Sequence, residues 1–247
     1  MNILPREKQI EVIAALSEGV GVRATARLTG VNRKTVAKLA LDVGKGCAEF
    51  HDRIMNGLRV NRIELDELWS FVGKKQARVK HNEIFAKGDQ YVFIGMAGTQ
   101  KAIISYRVGK RDGENTDLFV QDLRSRVLGL PEISSDGFRP YLPAIRDAFG
   151  SRVAHGVVNK TYSVVHLNVN EASRRYSPAS VISVARDVVS GVPAEISTSY
   201  AERGNLSLRM SCRRFTRLTN AFSKKLENHI AAVAFYVAHY NFCVSLR

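Results

Sequence analysis

Arg62-Ile63-Glu64-Leu65-Asp66-Glu67-Leu68-Trp69-Ser70-Phe71-Val72 is the stretch on which the fold turns. Polar and apolar residues alternate along it, the period-2 pattern of a β-strand. Asp66 sits inside this strand, flanked by Leu65 and Leu68. A carboxylate in such a place is costly unless it is paired or binds a metal ion. An exposed strand position or a salt bridge are the plainer alternatives. Trp69, the only tryptophan, is expected in the core beside Asp66.

Toward the C-terminus a basic stretch follows at Lys74, Lys75, Arg78 and Lys80. Strands are predicted at 91–97 and 102–108, joined by a turn at 98–101. A helix at 115–128 places Leu118, Phe119, Leu123 and Val127 on one face. A short strand at 132–135 ends at Asp136-Gly137, then come a helix at 140–149 and a fifth strand at 153–158. Three antiparallel strands, helix, strand, helix, strand is the order of the ribonuclease H-like fold, an α/β architecture with a mixed sheet flanked by helices. Residues 159–198 lack a clear period and read as an inserted segment. Helices are predicted at 199–209 and 224–243. The second repeats Leu226, Ile230, Val233, Val237 and Tyr240 at helical spacing, with Tyr236 and Phe242 as further core aromatics.

Toward the N-terminus, residues 5–44 read as three short helices. Pro5 suits a first turn, and Ile10, Ile13, Ala14 and Leu16 mark an apolar face. A second helix over 22–28 stops at Gly30. Asn32 is a good N-cap for a third over 33–41, with Val36, Leu39 and Ala40 inward. This is the small all-α helix-turn-helix arrangement. Arg33, Lys34, Thr35 and Lys38 would project toward bases and phosphates of double-stranded DNA. The alternative is a small bundle with a solvated basic face. The domain reading is therefore 1–46 helix-turn-helix, 47–60 helical connector and 61–247 catalytic domain.

The 247 residues carry 37 Lys+Arg against 23 Asp+Glu, a formal net charge of +14. Such an excess attracts polyanions, nucleic acid first among them. Cys47, Cys212 and Cys243 are odd in number and form no C-x-x-C, which argues against a zinc ribbon or a disulfide framework. The N-terminus has no apolar signal region. The apolar run at 230–238 falls far short of the roughly 20 residues that span a bilayer. A cytoplasmic protein with reduced thiols and no membrane partner is expected. Gly19-Val20-Gly21-Val22-Arg23-Ala24 fits G-x-G-x-x-A, but no strand precedes it, so it is not read as a dinucleotide site. His229 and His239 miss the i,i+4 spacing of a zinc helix and are expected to cap or pack.

Asp136 lies where the fourth strand stops, and in this fold the first and fourth strands run side by side and parallel. The two aspartates can therefore meet at the carboxyl ends of the strands, where ligand sites gather. A third acid from a helix would complete a set able to hold two Mg²⁺ ions through hard oxygen ligands. Two plainer roles compete. Asp136-Gly137 is also an ordinary turn signal, and Ser199-Tyr200-Ala201-Glu202 fits a capping box.

Several strings together resemble one family. Residues 63–72, with Asp66-Glu67-Leu68-Trp69-Ser70-Phe71-Val72, look like the first acidic motif of IS1-family transposases, of the DDE superfamily. Ser135-Asp136-Gly137 with Tyr141 resembles the second. Tyr200-Ala201-Glu202-Arg203-Gly204-Asn205-Leu206 resembles the third. Residues 213–229 and His239-Tyr240-Asn241-Phe242 are also similar. The resemblance implies that Asp66, Asp136 and Glu202 bind Mg²⁺ or Mn²⁺, two ions in all. It implies that Arg209, two turns beyond Glu202, touches a DNA phosphate. Arg203 and Asn205 match the third motif, and Lys74, Lys75, Arg213 and Arg214 are expected to contact DNA with them. The implied activity is insertion-sequence transposition: binding terminal inverted repeats, freeing 3′-OH ends and joining them to target DNA. Two ends must be held together, so a homodimer or higher oligomer in the nucleoid is expected. The chain ends Val244-Ser245-Leu246-Arg247 where that family continues with a basic, proline-containing segment. That difference keeps open a non-catalytic DNA-binding relative that uses only its helix-turn-helix.

Overall fold

The computed structural model describes residues 3–163, 181–216 and 220–244. The chain opens with helices α1 (Arg6–Ser17), α2 (Val22–Thr29) and α3 (Arg33–Ile54). Pro5 is the N-cap of α1, one position before the expected first turn. Gly30, with φ near 70°, closes α2 in the left-handed conformation. Asn32 caps α3 as expected, its side chain accepting from the Lys34 amide. The core of this head is Val12, Val31 and Val36. The face expected for α1 is rotated: Ile10 and Ala14 are exposed and Val12 is buried.

No break in secondary structure marks the expected junction at 46/47. α3 runs unbroken across it to Ile54, and most of the supposed connector is its C-terminal half. Gly44 explains how the head is held. A Cβ there would lie 2.3 Å from the Ala231 carbonyl oxygen, so only glycine lets α3 touch the backbone of the last helix.

After β1 (Leu58–Arg59) comes β2 (Arg62–Val72), the strand read first in the sequence, then β3 (Gly88–Ala97) and β4 (Ile103–Gly109). α4 (Gly113–Arg126) follows, capped by the Asp112 side chain. It buries Phe119, Val120 and Leu123, whereas Leu118 is exposed. α4 stops two residues early because Val127–Leu128 forms β5, paired parallel with β1. β6 (Glu132–Asp136), α5 (Tyr141–Phe149) and β7 (His155–Tyr162) complete the expected alternation.

The segment read as an insertion is in part sheet. β7 continues to Tyr162, and β8 (Val181–Ser190) pairs antiparallel with it. Every residue of β8 but Ser190 is exposed, so it had no burial pattern to read. Residues 164–180 of that segment lie outside the described residues, as do 217–219 of the motif stretch and the tail 245–247. α6 (Ser199–Ser211) and α7 (Leu226–Phe242) end the fold.

The main sheet has the order β4-β3-β2-β6-β7-β8. β2, β3 and β4 are antiparallel, while β2, β6 and β7 are parallel. Strand alternation divides β2 between two cores. Ile63 and Leu65 face α4 and α5, meeting Phe119 and Tyr141. Leu68 faces α6 and α7, meeting Ala201, Val233 and Val237. This is a mixed α/β sheet flanked by helices on both faces, compatible with a ribonuclease H-like fold. No helix among the described residues is long and apolar enough to cross a membrane. The three cysteines are unbridged.

α7 buries Val233, Tyr236, Val237 and Tyr240, but Ile230 and Phe242 are exposed, against expectation. His229 is buried and packs as expected. Its ring lies 3.0 Å from Ser70 Oγ and 3.0 Å from Ser223 Oγ, tying β2 to the start of α7. Burial, aided by Arg214, pushes its pKa down to about 3. The unfolded chain then takes up a proton below about pH 6.5 that the native state refuses, so stability is lost as pH falls from there toward 3. At pH 4.5 this amounts to about 2–3 kcal/mol. Urea midpoints at pH 7 and 4.5 should fall further for the native chain than for His229→Gln; equal falls would refute the assignment.

Candidate active site

β2 and β6 pair Arg62↔Glu132, Ile63↔Ile133 and Glu64↔Ser134. The same offset, carried forward, sets Asp136 level with Asp66. α6 crosses this end of the sheet with Gly204 against the tip of Met96, where a Cβ would lie 2.5 Å from Met96 Cε. A cleft of about 770 Å³ results, and Asp66, Asp136, Glu202 and Arg209 all line it. The four residues expected to act together are thus brought together. Arg209 lies on the same side of α6 as Glu202, as the two-turn spacing requires.

The carboxylates press on one another. Asp66 is half-buried, and its pKa is raised to about 7, by burial first and then by Asp136 and Glu202. Asn205 opposes this, donating from Nδ2 to Asp66 Oδ2 at 2.7 Å. Asp136 is also raised, chiefly by burial, against the Phe138 amide at 3.0 Å and Arg111. Asp136 therefore serves its turn and the cleft at once.

Glu202 is not held by the capping box. α6 begins at Ser199, so Thr198 occupies the N-cap position and Glu202 lies one residue too far on. Its Oε1 instead accepts from Thr198 Oγ1 at 2.6 Å and pairs with Lys160 of β7. The cap comes from the sheet: Glu64, fully buried on β2, accepts from the Tyr200 and Ala201 amides at 2.7 and 3.1 Å. A carboxylate at a helix N-terminus also meets the positive end of its dipole. One strand thus supplies Asp66 and, two residues earlier, the group that fixes the helix carrying Glu202.

Four participants escaped the sequence reading. Glu67 lines the same cleft from the opposite face of β2, its side chain only 3% exposed. Burial and Asp136 raise it to about 7. Arg111 bridges Glu67 at 3.1 Å and Asp136 at 3.4 Å, its guanidinium 3.9 Å over the Phe138 ring. Lys160 lay in the supposed insertion, and Thr198 closed it. Glu67 stood in the first motif beside Asp66, the one available signal; the others depend on tertiary packing. Arg203 is exposed and absent from the cleft lining, so the third motif contributes Glu202 and Asn205 but not Arg203.

As they stand, no three His, Cys, Asp or Glu side chains among the described residues converge tightly enough to cage an ion. The donor chemistry nonetheless suits a hard divalent cation. The carboxylate oxygens of Asp66, Asp136 and Glu202 share one cleft, and their like charges raise Asp66.

The other residues expected to touch DNA lie elsewhere. Arg33, Lys34, Thr35 and Lys38 are exposed on α3, with Lys38 paired to Asp42 at 2.6 Å. Arg33, Arg213 and Arg214 line a second cleft of about 860 Å³ between the head and α6–α7, joined by Arg23, Arg27 and Lys224. No Asp or Glu lines it among the described residues. Lys74 and Lys75 line a third recess beyond Trp69. No protein-family model matches this chain, and no curated protein matches it.

Proposed function

We propose that the protein is a DNA transposase of the DDE type, similar to the IS1 family, acting on phosphodiester bonds at the ends of an insertion sequence. The carrying observation is that Asp66, Asp136 and Glu202 line one cleft, where the carboxyl end of β6 lies beside the middle of β2 and under α6. Mg²⁺ or Mn²⁺ held by these three carboxylates would supply an acidified water or hydroxyl and neutralise charge on the scissile phosphate. The remaining work falls to the chain. Asn205 fixes the orientation of Asp66 and favours its ionised form. Thr198 fixes Glu202. Arg209 offers a guanidinium to a phosphate oxygen from the same face of α6. Arg111 and Lys160 hold the carboxylates from within the same cleft and add positive charge for an arriving phosphate.

The acid-free cleft between the head and α6–α7 suits the duplex backbone, and the N-terminal end of α3 presents Arg33, Lys34 and Thr35 for groove contacts. Joining two ends calls for a dimer or larger assembly. A non-catalytic DNA-binding protein is the competing reading. It draws on the way Arg111 and Lys160 already occupy the acids.

Incubation with duplexes carrying the genomic sequences that flank the gene, with Mg²⁺ or Mn²⁺, separates these readings. Cut ends and joined products are expected. Shifted but uncut DNA would favour the non-catalytic protein, and cut ends that never join would indicate a nuclease.

A further inference from the structure

Trp69 was expected in the core, yet it is 40% exposed. It opens onto a recess of about 800 Å³ with Phe71, Phe222, Lys74, Lys75 and Arg78. The aromatics form a continuous wall. The Trp69 and Phe71 ring centroids are 6.0 Å apart, and those of Phe71 and Phe222 are 4.5 Å apart. Lys224 lies 3.9 Å over the Phe222 ring. Lys75 and Arg78 are exposed at the mouth, while Lys74 is partly committed to Glu83 at 2.5 Å. No acid lines the recess among the described residues.

An exposed Trp69 ring continued by the half-buried Phe71 and Phe222, beside the exposed cations Lys75 and Arg78, matches the two halves of a nucleotide. The base has a π-face that stacks on any ring, and the phosphate needs positive charge. A peptide would use the rings but has no general need for the cations. Position agrees. Trp69 and Glu67 lie on the same face of β2, two residues or roughly 7 Å apart. A DNA strand whose phosphate lies in the carboxylate cleft can therefore set a neighbouring base against Trp69. Pairing would hide that base inside the duplex, so the nucleotide bound here must be unpaired.

We infer that this recess binds an unpaired nucleotide, its base on the Trp69–Phe71–Phe222 wall and its phosphate on Lys75 and Arg78. The inference leans on the proposed function only for the direction in which the strand continues. Trp69 is the sole tryptophan, so fluorescence excited selectively at tryptophan, away from the tyrosines, reports this recess. The full chain is titrated, in buffer with a chelator, with oligothymidylate, a blunt duplex of equal length and an abasic oligomer of equal charge. Oligothymidylate should quench saturably, and the duplex and the abasic oligomer far less. Phe222→Ala should weaken oligothymidylate binding about tenfold or more. Lys75→Ala with Arg78→Ala should weaken it and flatten its salt dependence.

Equal quenching by the abasic oligomer or the duplex, or no quenching by any of the three, would overturn the inference. So would wild-type affinity in a folded Phe222→Ala protein. If that variant does not fold, the surface double variant and the abasic comparison decide. No cation is present, so a protein that is quenched yet never cuts DNA keeps this site and loses only the catalytic reading.

Discussion

Asp66→Asn is expected to remove Mg²⁺-dependent strand cleavage while leaving duplex binding and the unfolding midpoint close to those of the native chain. The substitution keeps size and shape but removes the charge that a hard cation requires. Losing a group that merely orients a ligand costs about 10–100-fold, so losing a ligand should cost more than about 100-fold. Binding should survive because the basic cleft and α3 lie apart from Asp66. Asn also removes the cost of burying a charge, and the repulsion from Asp136 and Glu202, that together lift the Asp66 pKa, so stability should not suffer. Asp136→Asn and Glu202→Gln should behave alike. Retained cleavage in any of the three would remove that residue from the site.

Glu64→Ala should be the most damaging change outside the cleft. Glu64 is fully buried and serves as N-cap acceptor for a helix whose own Thr198 side chain makes no cap bond. Its loss leaves two amides without their partner and leaves Arg62, 3.8 Å from Glu64 Oε1, with Glu195 alone. Breaking a buried charge pair costs about 3–5 kcal/mol. For a chain of this size that lowers the melting temperature by about 6–20 °C. α6 should then shift, and Glu202 and Asn205 with it, so cleavage falls together with stability. Glu64→Gln, which keeps one acceptor oxygen, should recover part of both. A melting temperature unchanged in Glu64→Ala would mean that α6 is positioned by something else.

The strand order was legible because the first half of β2 alternates polar and apolar residues, and Gly98 marks the turn between β3 and β4. Its parallel neighbour β6 followed from the topology, which is why Asp66 and Asp136 could be paired from the sequence. Glu202 was found through the motif alone, and its capping-box rival fails for a local reason: α6 starts at Ser199 rather than after it. β8 was missed because an exposed edge strand carries no apolar alternation. The third helix reads in the sequence as ending at 41, unconnected to the helical connector, whereas α3 runs to Ile54. Gly44 marks the close approach of α3 to α7. Lys160 and Arg111 stayed hidden because a cation meets an acid across many residues only once the sheet has formed.

Divalent-cation binding tests the central claim most directly. Mn²⁺ titrated into the full chain and followed by electron paramagnetic resonance should show saturable binding to the native protein. Asp66→Asn, Asp136→Asn and Glu202→Gln should each weaken it strongly while circular dichroism stays unchanged. Mn²⁺ binding that is undetectable, or equally strong in all three folded variants, would contradict the account.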